Sequence, residues 1–129
     1  LIKESLNNNK IVLLPRVIDN ERMNFYQYQK GDELEVSKFQ ILEPSLNKKT
    51  FSKEEIDLMI MPGVCFDKFG SRIGYGRGYY DHYLENSEVY KMGICFDEQL
   101  CDFFIDNLEH DIKMDLIVTD RQIISFKEV

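Results

Sequence analysis

The chain has 129 residues, 43% of them hydrophobic, enough apolar material for one core and hence for a single domain over 1–129. A formal charge of −7 argues against non-specific binding to nucleic acid or to an anionic membrane. No apolar run has the length of a membrane span and no secretory signal pattern opens the chain.

The three cysteines, Cys65, Cys95 and Cys101, form no Cys-x-x-Cys pair, which fits reduced thiols in a cytoplasmic protein. Cys65 and Cys95 lie in apolar settings and read as packing residues.

Leu1 to Asn9 reads as the tail of a helix, closed by the run Asn7-Asn8-Asn9. Ile11 to Pro15 is a short continuous apolar run, the pattern of a strand buried on both faces of a parallel sheet. Arg16 follows it, as a residue facing a ligand or as an ordinary structural arginine. Met23 to Tyr28 is expected to be a second strand, and Lys30-Gly31-Asp32 a turn. Leu34 and Val36 begin a short helix or an extended piece, and Phe39 to Pro44 is a strand or loop. Within it Glu43 is a ligand-touching carboxylate or a turn carboxylate before proline. Ser45 to Glu55 is polar and lysine-rich and reads as a surface connection. Ile56 to Met61 is the most hydrophobic run and is expected to be the central strand.

Pro62 to Leu84, PGVCFDKFGSRIGYGRGYYDHYL, carries five of the chain's seven glycines. Gly74, Gly76 and Gly78 alternate, which suits neither a helix nor a packed strand interior. They form a loop that runs into a helix expected over Tyr79 to Asn86, an arrangement that favours anions. The segment has three basic residues (Lys68, Arg72, Arg77) against two acidic ones (Asp67, Asp81), so an acidic protein concentrates positive charge here. A glycine-rich surface turn is the plain alternative. The tyrosines, the arginines and Asp81 favour a ligand site.

Tyr90 to Phe96 reads as a further strand, and Glu98 to Asn107 as loop with a short helical turn. Asp111 to Thr119 is expected to be the last main strand and Arg121 to Phe126 a closing one. Strands alternating with helices point to a layered α/β domain.

The 62–84 segment resembles the signature of the 5-formyltetrahydrofolate cyclo-ligase family (methenyltetrahydrofolate synthetases). The quoted pattern is a strand ending in Pro62-Gly63, then Phe66-Asp67, Gly70, Arg72-Ile73-Gly74, the alternating glycines, and Tyr79-Tyr80-Asp81. It is neither a Walker A loop nor a dinucleotide-binding glycine pattern. Weaker likeness extends from about Leu1 to about Ile124, through Met23-Asn24-Phe25, Glu43-Pro44, Phe96, Gln99-Leu100 and His110-Asp111.

The resemblance implies an α/β/α layered domain with a mostly parallel central sheet, like the ribose-phosphate isomerase/CoA transferase scaffold. The Arg72–Asp81 string argues against an isomerase or transferase relative. It also implies an N-terminally incomplete cyclo-ligase domain, with the family's first few tens of residues preceding Leu1. The implied reaction is ATP-dependent cyclisation of 5-formyltetrahydrofolate to 5,10-methenyltetrahydrofolate, with Mg²⁺, in a cytoplasmic monomer. Its partners are ATP and the folate, with no nucleic acid and no membrane. ATP is expected at Arg72, Ile73, Gly74, Tyr75, Gly76, Arg77, Gly78, Tyr79 and Tyr80, and the folate at Tyr75, Gly76, Arg77, Gly78 and Tyr79. Arg77 and Tyr79 are the expected catalytic groups, and Asp81 and Asp111 the metal ligands, with Asp115 an alternative to Asp111. Tyr79 or Tyr80 stacks on the pterin or anchors the helix. His110 reads as a surface residue and His82 as an ordinary helix residue. A nucleotide- or folate-binding module without turnover is the competing function.

Overall fold

The computed structural model describes residues 1–37, 40–106 and 112–128. The chain divides into two compact units, Leu1–Glu55 and Ile56–Val129. Together they are α/β with mixed sheets.

The first unit holds α1 (Ile2–Asn7), β1 (Val12–Val17), β2 (Met23–Tyr28), β3 (Glu35–Val36), β4 (Leu42–Glu43), β5 (Thr50–Phe51) and a 3-10 turn at Lys53–Glu55. β1, β2 and β5 make an antiparallel sheet in that order, with Val12 opposite Tyr28 and Val17 opposite Met23. The expected parallel strand at Ile11–Pro15 is therefore corrected. A parallel partner needs a crossover of about a dozen residues or more, and only a tight turn separates β1 from β2. Asp19 holds that turn, its Oδ1 accepting the N–H groups of Glu21 and Arg22 at 2.9 Å. β1 is half-buried along its length, whereas Met23, Phe25 and Tyr26 of β2 are buried.

The polar connection at Ser45–Glu55 also contains more than expected. Thr50 and Phe51 pair with Tyr26 and Phe25, because a β-branched and an aromatic residue can extend the edge of the hairpin. Arg16 and Glu43 both take structural roles in this unit. Arg16 Nη1 donates to Glu35 Oε2 at 2.7 Å and to the Pro44 carbonyl at 2.8 Å. Glu43 is buried and accepts the Val17 N–H at 2.9 Å.

The second unit holds β6 (Leu58–Met61), β7 (Cys65–Phe66), β8 (Arg72–Ile73), α2 (Tyr79–Tyr83), β9 (Tyr90–Ile94), a 3-10 turn at Asp97–Gln99, β10 (Leu116–Val118) and β11 (Ile123–Ser125). Its main sheet runs β11-β10-β9-β6. The β6–β9 and β9–β10 pairs are parallel, and β10–β11 is antiparallel. Among the described residues β6 ends this order instead of lying at its centre. Met59 and Met61 point into the core, while Leu58 and Ile60 on the other face are exposed. A period of two puts neighbours on opposite faces whatever their hydrophobicity.

α2 is shorter than the expected Tyr79–Asn86. It ends at Tyr83, with Leu84 as its C-cap at φ −89°, and a turn over residues 84–86 follows. Of the last main strand expected over Asp111–Thr119, Asp111 lies outside the described residues, and among the described ones Leu116–Val118 form the strand. No helix of the described residues is long and apolar enough to cross a membrane.

Phe66 is the keystone of this unit, with none of its surface exposed. A Cβ added at Gly93 would meet the Phe66 ring at 2.7 Å. Gly93→Ala is therefore expected to destabilise the protein by about 1–3 kcal/mol through overpacking, read as a lower denaturation midpoint at unchanged slope. An unchanged midpoint would mean that Phe66 has room to turn.

Cys65 and Cys101 are both free thiols. Burial, followed by a hydrogen bond with Cys65, pushes the Cys101 thiol up to about 11 from its ordinary value of 9.0. Cys101 in the native protein should thus be alkylated slowly by iodoacetamide at pH 8, accelerating only as pH approaches 11. The same shift favours the folded state below pH 9, and that contribution is lost as pH rises through 11. Mass spectrometry of labelled peptides measures the rate. Labelling as fast as a free thiol at pH 8 would contradict the shift.

Candidate active site

β6 ends at Met61, and Pro62-Gly63 turn the chain away from the sheet. A small hairpin follows. The Val64 N–H donates to the Ile73 carbonyl at 2.7 Å, Cys65 faces Ile73, and Phe66 faces Arg72. Its turn is organised by Asp67, which is wholly buried. Asp67 Oδ1 accepts the N–H groups of Phe69 at 2.9 Å and Ser71 at 3.0 Å, and Oδ2 accepts the Ile105 N–H at 2.8 Å. A short carboxylate that hydrogen-bonds the backbone two residues on is the Asx-turn device. Here its second oxygen also ties the hairpin to a distant segment.

The hairpin delivers the chain into the Gly74–Gly78 loop. Gly76 and Gly78 have φ of 91° and 68°, in the left-handed region, and a Cβ at either would meet nothing within 4 Å. The requirement at these two positions is therefore conformational, and the space beside them is open to a ligand. Gly78 is the N-cap of α2. Gly74 is different, because a Cβ there would come within 2.8 Å of Arg72 Nη1.

Arg72 reaches back under this loop. Its side chain is only 5% exposed, against 27% for Asp81. Nη2 lies 3.4 Å from Asp81 Oδ2, and Nη1 donates to the Pro62 carbonyl at 3.1 Å. The guanidinium sits over the Tyr80 ring, 5.8 Å from its centroid. Burial raises the Tyr80 hydroxyl above its ordinary value, and the Arg72 charge opposes that rise. Arg72 Nε is buried with no hydrogen-bond partner among the described residues. Asp81 Oδ1 in turn accepts the Ile112 N–H at 3.2 Å.

The carboxyl ends of β6, β9 and β10 complete the surroundings. Tyr75, 73% exposed, directs its hydroxyl to the Gly63 carbonyl at 3.5 Å. Phe96, past the end of β9, is 66% exposed. Gln99 Oε1 accepts the Phe96 N–H at 2.9 Å, and Gln99 Nε2 donates to the Val64 carbonyl at 3.1 Å. Asp97 accepts from Gln122 Nε2 at 2.7 Å and Thr119 Oγ1 at 3.0 Å, and these bonds hold its carboxyl below the usual range. Gln99 bridges the end of β9 to the start of the hairpin, while Asp97 clasps the end of β10.

The structure thus brings Arg72, Tyr80 and Asp81 together and leaves Tyr75, Gly76, Arg77 and Gly78 on the exposed loop, with Ile73 exposed and Tyr79 half-buried beside it. Asp81 pairs with Arg72. Asp111 and His110 lie outside the described residues. Asp115 pairs with Lys91 at 3.3 Å and accepts the Lys91 N–H at 2.8 Å, a strand-bracing role. Among the described residues no group of three or more His, Cys, Asp or Glu side chains is placed to hold a metal. Asp81 offers hard, partly exposed oxygens of the kind Mg²⁺ takes singly or in pairs, keeping several waters. Asp67 and Gln99 are organising residues that residue type alone did not mark. The signal for Asp67 was its place in a short Asp-x-x-Gly turn.

Residues 1–120 match the model of the 5-formyltetrahydrofolate cyclo-ligase family. A probable 5-formyltetrahydrofolate cyclo-ligase from Schizosaccharomyces pombe is 33% identical, covering 96% of this chain and 68% of that protein. The 5-formyltetrahydrofolate cyclo-ligase of Mus musculus is 32% identical, covering 92% of this chain and 64% of the mouse protein. An NMR structure of Aquifex aeolicus 5,10-methenyltetrahydrofolate synthetase superposes with a TM-score of 0.83 at 30% identity, covering 99% of this chain and 64% of that one. The synthetase of Mycoplasma pneumoniae gives a TM-score of 0.68 at 26% identity, covering 98% of this chain and 62% of that one. A glycine-rich loop leading from a carboxylate-organised hairpin, matched along nearly its whole length by these relatives, places this chain in the 5-formyltetrahydrofolate cyclo-ligase family.

Proposed function

We propose that the protein converts 5-formyltetrahydrofolate to 5,10-methenyltetrahydrofolate with hydrolysis of ATP to ADP and phosphate. The observation that carries this reading is the open Gly74–Gly78 loop beside the Arg72–Asp81 pair, in a chain of this family. A formyl oxygen is a poor leaving group. Its attack on the γ-phosphorus expels ADP and turns it into a phosphate ester. N10 then attacks the activated carbon and loses its proton, and the C–O bond breaks to release phosphate. Such chemistry asks for positioning and charge neutralisation from the protein.

In this reading the 74–78 backbone and Arg72 bind the ATP phosphates, with Ile73, Tyr79 and Tyr80 beside the nucleotide. Arg77, on the exposed loop, neutralises charge on the transferred group. Tyr75 and Tyr79 contact the folate along Gly76, Arg77 and Gly78. Asp81 holds Mg²⁺, with Asp111 as its second carboxylate. The metal, when bound, screens the phosphate charges and orients the γ-phosphoryl group. The family match across both units supports one cyclo-ligase domain over 1–129, on the layered α/β/α scaffold with a largely parallel sheet. A cytoplasmic monomer completes the proposal.

The test is the absorbance of methenyltetrahydrofolate formed from 5-formyltetrahydrofolate, with Mg-ATP present and then omitted. ATP-dependent product is expected. Tight nucleotide or folate binding without product would favour a binding module, a reading kept in view because the chain spans 68% and 64% of two relatives' lengths.

A further inference from the structure

We infer that the Arg72–Asp81 ion pair is an exchange device: without ligands each side chain occupies the other's binding position, so that metal and nucleotide bind productively only together. The inference rests on the cyclo-ligase reading and adds a coupling between its two ligands.

Three features of the pair point this way. The separation of 3.4 Å is long for a charge-assisted hydrogen bond, which is usually about 2.7–2.9 Å. Arg72 is 95% buried by its 5% exposure, yet its Nε has no partner among the described residues. A buried donor of a charged group left unsatisfied is costly, and an incoming phosphate oxygen supplies the missing acceptor. Asp81 is the more open partner, and solvent-borne cations reach its carboxylate first.

The consequences are asymmetric for single ligands. A divalent cation that takes Asp81 alone leaves a buried guanidinium without its counter-charge. A metal-free polyphosphate that takes Arg72 alone leaves the Asp81 carboxylate facing an anion. The metal–nucleotide complex replaces both lost partners at once. Neither Pro62, which gives only a carbonyl, nor the Tyr80 ring can compensate Arg72 in full. Arg72 therefore serves as the counter-ion that keeps Asp81 from taking a cation prematurely.

The experiment measures binding rather than turnover, at 0.15 M salt, where charges beyond about 8 Å are largely screened. Mn²⁺ affinity is followed by the electron paramagnetic resonance signal of the free ion, without nucleotide. Affinity for AMP-PNP, a non-hydrolysable ATP analogue, is followed by calorimetry, with chelator present. Arg72→Gln is expected to tighten Mn²⁺ binding about tenfold, and Asp81→Asn to tighten metal-free AMP-PNP binding about tenfold, within the usual range of coupling between sites. Circular dichroism checks both folds. If Arg72→Gln does not fold, the more exposed Asp81→Asn decides alone. Unchanged or weaker binding by the folded variants overturns the exchange while leaving the cyclo-ligase reading intact. Failure of the wild-type protein to bind Mn²⁺ and AMP-PNP together overturns that reading and the exchange with it.

Discussion

Asp67→Ala is expected to destabilise the protein by about 3 kcal/mol or more, since it orphans two buried N–H donors and a part-buried third at about 1–3 kcal/mol each. The donors are those of Phe69, Ser71 and Ile105, and the carboxylate that serves them has no exposed surface. Against a domain stability of about 5–15 kcal/mol this is a large fraction. Asp67→Asn keeps one acceptor oxygen and is expected to lose less, about 1–3 kcal/mol. Urea denaturation of both variants gives the comparison. Equal losses for alanine and asparagine would show that the negative charge, and not the count of acceptors, holds the turn. No loss for either would remove Asp67 from the frame of the site.

Arg72→Ala is expected to lower turnover about 100-fold or more, because it deletes charge-assisted hydrogen bonds that each contribute about 1.5–3 kcal/mol. It removes the group under the glycine loop and the counter-charge of Asp81, and leaves the Pro62 carbonyl without its donor. A deficit in nucleotide affinity matching the deficit in turnover is expected. Since Arg72 is buried, the denaturation midpoint must be measured beside the rate, and a stability loss of about 1–3 kcal/mol is also expected. A lower midpoint with unchanged nucleotide affinity would make Arg72 a structural strut and hand the phosphate role to Arg77.

Much of the site was legible because its signals are local. The alternation of Gly74, Gly76 and Gly78 rules out helix and strand within a few residues, and left-handed φ at Gly76 and Gly78 agrees with it. The strands at Met23–Tyr28 and Tyr90–Ile94 follow from runs of aromatic and β-branched or apolar residues. α2 stops at Tyr83, short of Asn86, because the apolar spacing of Tyr80, Tyr83 and Leu84 carries no signal for where the helix ends.

What the chain by itself determined is the local part of the candidate site: the glycines, arginines and Asp81 gathered within residues 62–84. The fold decided direction and partnership. β1 is antiparallel because the turn after it is short, and β6 shows two residues to each face because strands alternate. Asp67 becomes a structural linchpin only when Ile105, 38 positions away, brings its N–H to the second oxygen. Arg72 meets Asp81 across nine residues because a hairpin strand and a helix flank the same loop. Burial and pairing are sums over neighbours remote in sequence, so no window of local residues contains them. The residue types within 62–84 are local, and they were therefore readable first.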